Sequence, residues 1–405
     1  MFINRFFSER LKEFIKQYPV IVLTGARQTG KTTLLRKIFH NYNYISLDLP
    51  SVAEQAEKNP ETFFQKNPPP LVIDEVQYAP TVFRHIKYLV DSDRTNGHFI
   101  LTGSQKFTLI HKLTESLAGR CVWLELENLA MEEIRNKLNP TLSTTWIQKI
   151  ITRGQFPELW KQPGMTTTDF YASYLATYLE RDVRQILNVH NLRDFERFIR
   201  ILATRSGQLL NKAEIAKEAG ISTRAANDWL SVLEASNQIV LLEPWYRNFS
   251  KRIVKSPKLY FCDSGLLCFL LDVTEKGLLN SPFLGHLWET FVYAEIRKLN
   301  RIRKNPVSIW YYRDQRAREI DFLLSQDGRL SFIECKWTTQ PGLKDTRTIQ
   351  TISAELTASS SPVKPGGHKV LCMTSNFYSI TPEIDAIGPR DFEKVFDILK
   401  KNVSD

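Results

Sequence analysis

Three groups of residues in this 405-residue chain have the types and spacing that chemistry requires. The first is Gly25-Ala26-Arg27-Gln28-Thr29-Gly30-Lys31-Thr32, a GxxxxGK[ST] phosphate loop entered from the apolar run Val20 to Leu23 and followed by Thr33. Successive backbone N–H groups of such a loop face a polyphosphate such as that of ATP. Lys31 lies against the β- and γ-phosphates and the Thr32 hydroxyl holds Mg²⁺. The second group is Asp74-Glu75, which ends the apolar run Leu71-Val72-Ile73. Beside a phosphate loop, Asp74 holds Mg²⁺ mostly through its waters, while Glu75 orients and activates the attacking water. The third group is spread along the second half: Glu289, Asp321 and the run Glu334-Cys335-Lys336. Carboxylates converging with a lysine suit metal-assisted phosphodiester hydrolysis. Asp321 and Glu334 bind Mg²⁺ or Mn²⁺ together with the Cys335 carbonyl, and Glu289 adds a further contact. Lys336 positions the water or neutralises the developing phosphorane charge.

Two polar positions accompany the first pair of motifs. His98 to Leu101 predicts a strand ending in Thr102-Gly103-Ser104, and Ser104, rather than Thr102, is the expected partner of the γ-phosphate or the attacking water. Arg120 precedes the strand Cys121 to Leu126, at the rim of the module, where it can reach a neighbour's nucleotide as an arginine finger.

The elements that must hold these groups follow from periodicity. Residues 1–135 alternate strand and helix: Tyr44 to Leu47 reads as a strand, Ser51 to Lys58 as a helix with a Ser cap, and Gln105 to Leu117 as another helix. In the second half Leu287 to Leu299 is helical, with Glu289 one turn in. A hairpin runs from Glu319 through a turn at Asp327-Gly328 to Lys336. Asp321 and Glu334 then occupy facing strands, and Lys336 shares a side with Glu334.

Between these halves, residues 194–246 carry a different pattern. An amphipathic helix with Phe195, Phe198, Ile199 and Leu202 precedes a second helix, Asn211 to Glu218; a turn at Gly220-Ile221 leads to a third helix capped by Ser222, and then to the strand Ile239 to Leu242. Helix, turn, helix and hairpin is the order of a winged helix. Its third helix presents Arg224 and Asn227, and its hairpin carries Arg247, Lys251, Arg252, Lys255 and Lys258 interleaved with Trp245, Tyr246 and Phe249. Such a surface tracks a phosphate backbone more than it reads bases. The net charge of +10 agrees, because residues 245–320 carry 14 Lys and Arg against 7 Asp and Glu. DNA is the expected partner.

A hydrophobic content of 42 % with 24 % charged residues describes a globular protein of two or three domains. No apolar run approaches the ~20 residues needed to cross a bilayer. Met1 to Tyr18 is amphipathic and lacks the features of a signal peptide. The five cysteines show no metal-ligand spacing, so a cytoplasmic setting with no membrane partner is expected.

The strings GARQTGKTTLL, VIDEVQ, ILTGSQ, LAGRCVWLEL, GQFPE, KSPKLYFCDSGLL and GHLWETFVYAEI together carry a resemblance. The chain resembles the prokaryotic AAA+ ATPase family that bears a C-terminal DUF4143 domain, and DUF4143 is similar by fold to the PD-(D/E)xK nucleases. Gln155 departs from the family, which more often repeats Gly there. The resemblance implies assembly into a ring, six-membered by the AAA+ pattern, and a lid arginine for which Arg153 and Arg181 are both candidates. It matches Glu289 to the helical Glu of the nucleases, Asp321 to their first acid, and Glu334 with Lys336 to their ExK element.

The fold expected is α/β: a P-loop AAA+ core over 1–135, a helical lid over 136–193, a winged-helix module over 194–254 and a restriction-endonuclease-like α/β domain over 255–405. The function expected is an ATP-driven DNA-processing enzyme in which a ring motor is coupled to a metal-dependent nuclease, and the resemblance to AAA+ motors that move junctions implies duplex or branched DNA as its substrate. The alternative is a nucleotide-gated switch or scaffold that binds DNA or protein without cutting.

Overall fold

A computed structural model describes residues 2–103, 117–178, 192–246, 256–358 and 363–398. They form two compact units: Met1–Leu138 with Phe156–Gly164 and Ser231–Gln238, and Asn139–Gln155 with Met165–Leu230 and Ile239–Asp405. Residues 136–193 and 194–254 each contribute to both units.

The first unit is built on a five-stranded parallel sheet. Its strands are β1 (Val20–Thr24), β2 (Asn43–Ser46), β3 (Leu71–Asp74), β4 (Phe99–Thr102) and β5 (Cys121–Glu125), in the spatial order β2-β3-β4-β1-β5. The central strands are buried on both faces, which is why they read as unbroken apolar runs. Val22, Ile73 and Leu101 pack with Phe63, Phe83 and Ile86 from the covering helices. β4 lies between β1 and β3, so the tip of one strand stands between the phosphate loop and Asp74. The helix expected from Ser51 begins at Pro50 and has no side-chain cap. Proline at the first helical position gives up an N–H that would have no partner in the helix anyway, so the Ser cap is not needed. The helix expected over Gln105 to Leu117 lies almost wholly outside the described residues, as does Ser104.

The second unit contains two sheets. The first, in chain order with helices Leu192–Thr204, Lys212–Ala219 and Thr223–Ala235, is a three-stranded antiparallel sheet of β6 (Gln208–Leu209), β7 (Ile239–Leu242) and β8 (Lys258–Phe261), in the order β6-β8-β7. Local chemistry fixes these helices. The Asn211 side chain accepts from the Glu214 N–H at 3.2 Å, Gly220 ends its helix with φ of 71°, and Ser222 Oγ accepts from the Ala225 N–H at 3.1 Å.

The larger sheet is mixed. It comprises β9 (Ser308–Arg313), β10 (Glu319–Gln326), β11 (Arg329–Cys335), β12 (Lys364–Pro365), β13 (His368–Leu371), β14 (Tyr378–Thr381) and β15 (Ile384–Ile387). Its order is β14-β15-β13-β11-β10-β9, with β12 also pairing with β11. Helix Arg347–Ala358 packs Ile349, Ile352 and Leu356 against Leu323, Phe332 and Val370 of this sheet. The two sheets meet where the Trp245 N–H donates to the Tyr311 carbonyl at 2.7 Å. Gln155 is fully buried here. Its amide donates to Glu295 Oε1 at 2.6 Å and accepts from Lys298 Nζ, and its backbone N–H donates to Asp263 at 2.9 Å, which gives a glutamine rather than a glycine a structural task. Among the described residues no helix is long and apolar enough to cross a membrane.

Candidate functional site

β1 runs directly into Gly25–Gly30, and helix Lys31–Ile38 follows, with Gly30 at φ of 90° as its N-cap. Lys31 is buried and folds over the loop, its ammonium donating to the Gly25 and Ala26 carbonyls at 2.9 and 3.0 Å. Thr29 Oγ1 donates to the Ala26 carbonyl at 2.9 Å and tightens the same turn. Gln28 and Thr33 are exposed, and Arg27 and Thr32 half-buried. Gly25 is the most constrained glycine of the loop. Its φ is 148°, and a Cβ there would sit 2.2 Å from the Leu126 carbonyl oxygen. Gly25→Ala must therefore push apart β5 and the loop, and loss of nucleotide binding is expected. Gly30→Ala meets nothing closer than Pro157 at 3.8 Å and carries only the backbone strain. Titration with a fluorescent ATP analogue compares the two.

The Asp74 carboxylate joins three strand ends. Thr32 Oγ1 donates to its Oδ2 at 2.7 Å, and the Tyr44 and Thr102 hydroxyls donate to it as well. Burial, followed by the hydrogen bond to Asp74, raises the Tyr44 pKa well above the usual phenol range, so Tyr44 stays a donor. The Arg36 guanidinium covers its ring at 4.1 Å. Thr102, passed over in favour of Ser104 on sequence grounds, is the β4 residue that reaches Asp74. Glu75 adopts a left-handed backbone, φ 55° and ψ 46°, and accepts a hydrogen bond from the Gln77 amide. That conformation costs a non-glycine residue about 1–2 kcal/mol, the kind of strain that collects at functional positions. Arg120 does not project freely. Its guanidinium grips both Asp91 oxygens, at 2.5 and 3.0 Å, within the single chain.

Arg5 had no role assigned from the sequence. It is buried, and its guanidinium pairs with Glu133 at 3.0 Å while donating to the Thr29 carbonyl at 2.9 Å and to the Glu127 and Asn128 carbonyls. Glu133 also accepts from the Phe6 N–H at 2.6 Å. One side chain thus ties the phosphate loop to the segment after β5.

The second site gathers on the large sheet. Asp327 and Gly328 both have positive φ, 50° and 73°, which folds β10 tightly back onto β11. Phe322 pairs with Ile333, which sets Asp321 and Glu334 opposite one another. A bulge between Ile320 and Leu323, on the β9 side, re-aims Asp321. Its Oδ2 accepts from the Cys335 N–H at 2.8 Å. Lys336 Nζ pairs with Glu334 Oε2 at 2.9 Å, whereas Glu334 Oε1 is buried and accepts no hydrogen bond. Glu289, on helix Leu284–Ile302, accepts from the Tyr260 hydroxyl at 2.5 Å.

The sequence missed the residue at the centre. Lys258, expected on a basic DNA-facing hairpin, is 1 % exposed, and its ammonium lies 2.6 Å from Glu319, 3.0 Å from Glu289 and 3.9 Å from Asp321. Burial alone would lower its pKa, but the three carboxylates outweigh burial and raise it. Lys258 therefore stays charged. Among the described residues no three His, Cys, Asp or Glu side chains form a cation-ligand set. The residues expected to hold a metal, Glu289, Asp321, Glu334 and Cys335, lie together on the helix and the hairpin, with the Lys258 ammonium beside Glu289 and Asp321. Lys258 supplies the positive charge there, and Cys335 enters through its N–H. The orphaned Glu334 Oε1 is the single feature that suits a cation.

Burial, then the Asp321 charge, pushes Glu289 up to about 7 and Glu334 up to about 8. Both values exceed those of the unfolded chain, so the native state binds more protons between about pH 4.5 and 8. This contribution to stability is full below about pH 4.5 and is lost as pH rises through 7 and 8. Glu334→Gln should flatten the fall in melting temperature between pH 6 and 8.5. A slope equal to that of the wild type would contradict the assignment.

Family comparisons agree with this division. Residues 17–135 match the AAA domain family, residues 144–277 match DUF8612, a domain of unknown function, and residues 284–387 match DUF4143, also a domain of unknown function. The chain joins an AAA-type P-loop ATPase module to a C-terminal DUF4143 domain. The AAA module holds Lys31, Thr32, Asp74 and Glu75, and the DUF4143 domain holds Glu289, Glu319, Asp321, Glu334 and Lys336. Lys258 and Tyr260 lie in the DUF8612 segment, which also spans most of the helices expected as lid and winged helix. The uncharacterized proteins Rv2008c of Mycobacterium tuberculosis and Mb2031c of Mycobacterium bovis are each 29 % identical over 364 residues, covering 89 % of this chain and 80 % of theirs. Among solved structures, the Walker-type ATPase PABY2304 of Pyrococcus abyssi is 14 % identical, covers 65 % of this chain and 94 % of its own, and has a TM-score of 0.45. The Thermotoga maritima RuvB Holliday junction branch migration motor is 14 % identical, covers 57 % and 88 %, and has a TM-score of 0.29.

Of the residues expected to touch DNA, Arg224 is exposed, and Asn227 donates its amide to the Thr223 carbonyl at 3.0 Å. Arg247, Lys251, Arg252 and Lys255 lie outside the described residues, as does the lid candidate Arg181. The other candidate, Arg153, donates to the Met165 carbonyl at 3.1 Å.

Proposed function

We propose that the chain is an ATP-hydrolysing machine acting on DNA, in which the AAA module drives or gates a DNA-binding C-terminal half. The observation that carries this reading is the meeting of Thr32 with Asp74 beneath Lys31. A hydroxyl and a carboxylate 2.7 Å apart, at the foot of a phosphate loop, are the pair that holds Mg²⁺ against ATP. Glu75 at the next position activates water. Work on DNA is supported by the basic excess over 245–320 and by the helix–strand–helix–helix–strand–strand order of 192–261, which is that of a winged helix with Arg224 exposed at the start of its third helix. Assembly as a six-membered ring in the cytoplasm completes the reading.

Binding is tested by fluorescence anisotropy with labelled linear and four-way DNA. If phosphates dominate the contact, affinity falls steeply between 50 and 200 mM salt, by about 10³-fold where six or more are neutralised. A flat response sinks the DNA half of the proposal, and Arg224→Ala should weaken all sequences alike.

A second reading makes the DUF4143 domain a PD-(D/E)xK nuclease. The buried, unpartnered Glu334 Oε1 beside Lys336 favours it. Its test is cleavage of linear, flapped and four-way DNA with Mg²⁺ or Mn²⁺, comparing wild type with Asp321→Asn. Equal cutting by the two would mark a contaminant.

A further inference from the structure

The carboxylate cluster already contains a cation. Glu289 comes from a helix, Glu319 and Asp321 from β10, and all three turn oxygens toward one point occupied by Lys258 Nζ. β8 delivers that ammonium, and two residues on, from the same face of the strand, the Tyr260 hydroxyl that binds Glu289. With the ammonium in place, the oxygens do not stand at the distances a small divalent ion takes. They stand 2.6, 3.0 and 3.9 Å from the nitrogen, whereas Mg²⁺ takes oxygens at about 2.0–2.1 Å and Ca²⁺ at about 2.3–2.6 Å. A divalent ion entering here would have to expel a buried ammonium that has no other acid within reach among its described ion pairs.

We propose that Lys258 is a built-in counter-cation that closes this cluster, so that the domain as folded takes no divalent ion at Glu289, Glu319 and Asp321. The inference concerns the C-terminal half, with Lys258 from the DUF8612 segment and the acids from DUF4143, and deepens the reading of that half as one that binds DNA without metal-dependent cutting. Neutralising Lys258 opens the cluster. Three carboxylates aimed at one point then constitute a site for a hard cation.

The experiment follows Mn²⁺ binding by the electron paramagnetic resonance signal of the free ion, using the full chain without nucleotide. Wild type, Asp321→Asn, Lys258→Met and the double variant are compared, so that any ion bound at the phosphate loop is common to all four. Wild type and Asp321→Asn should bind Mn²⁺ alike. Lys258→Met should gain one ion, about tenfold or more tighter than any bound by wild type, and lose it when Asp321→Asn is added. Mn²⁺ should also raise the melting temperature of Lys258→Met but not that of wild type. Wild-type binding that Asp321→Asn abolishes would overturn the proposal, and so would a folded Lys258→Met chain that gains no ion. Should Lys258→Met fail to fold, the first pair decides: equal binding supports the closed cluster, and unequal binding refutes it. ATP turnover, measured in parallel, reports on the phosphate loop independently of any of these results.

Discussion

Lys31→Ala should lower ATP turnover by about 10²–10³-fold, the loss seen when one preorganised electrostatic donor is removed from a site where charge develops. The ammonium is buried and already aimed into the loop, 2.9 and 3.0 Å from the Gly25 and Ala26 carbonyls. Moving it onto a phosphate takes a rotation of its own side chain, with no rearrangement of the backbone. Truncation leaves those two carbonyls short of a donor, at about 1–3 kcal/mol, which a unit with so continuous an apolar core absorbs. The variant should therefore remain folded by circular dichroism while a coupled phosphate-release assay reads near background. Unchanged turnover would remove the nucleotide reading altogether.

Lys258→Met should cost about 3–5 kcal/mol of unfolding free energy, the usual penalty when one partner of a buried charge cluster is deleted and the others stay. Lys336→Met is the control. Lys336 also pairs with a cluster carboxylate, but its side chain is 39 % exposed against 1 % for Lys258, so water can take over much of its work. If both variants cost the same in urea titrations, burial is not what sets the penalty. The Lys258→Met deficit should also shrink toward pH 5, because Glu289, already raised, takes up a proton there and needs the ammonium less.

How far the sequence discloses this protein depends on whether the chemistry is contiguous. The phosphate loop occupies eight successive residues, and Asp74 ends an apolar run. Both are legible because a strand, a turn and a helix each impose their own spacing. The hairpin bringing Asp321 opposite Glu334 is legible from the two-residue period and the Asp-Gly turn. Lys258 is not. It closes a basic run, Lys251 to Lys258, and such a run reads as one solvated face. The available signal was Lys258-Leu259-Tyr260-Phe261, where an apolar strand alternates with a lysine and a tyrosine on one side. A lysine on that side needs acids to face it, and the acids lie 31 to 63 residues later. Thr102 was missed for a simpler reason. Strand ends are the least certain part of any periodicity, and the last residue of β4 is the one whose hydroxyl meets Asp74.

The grip of Arg5 on the phosphate loop has a practical side. Four contacts from one guanidinium make Arg5 part of the nucleotide pocket's scaffolding. Any version that starts after Arg5 should therefore be assayed for ATP affinity before its inactivity is blamed on a downstream mutation.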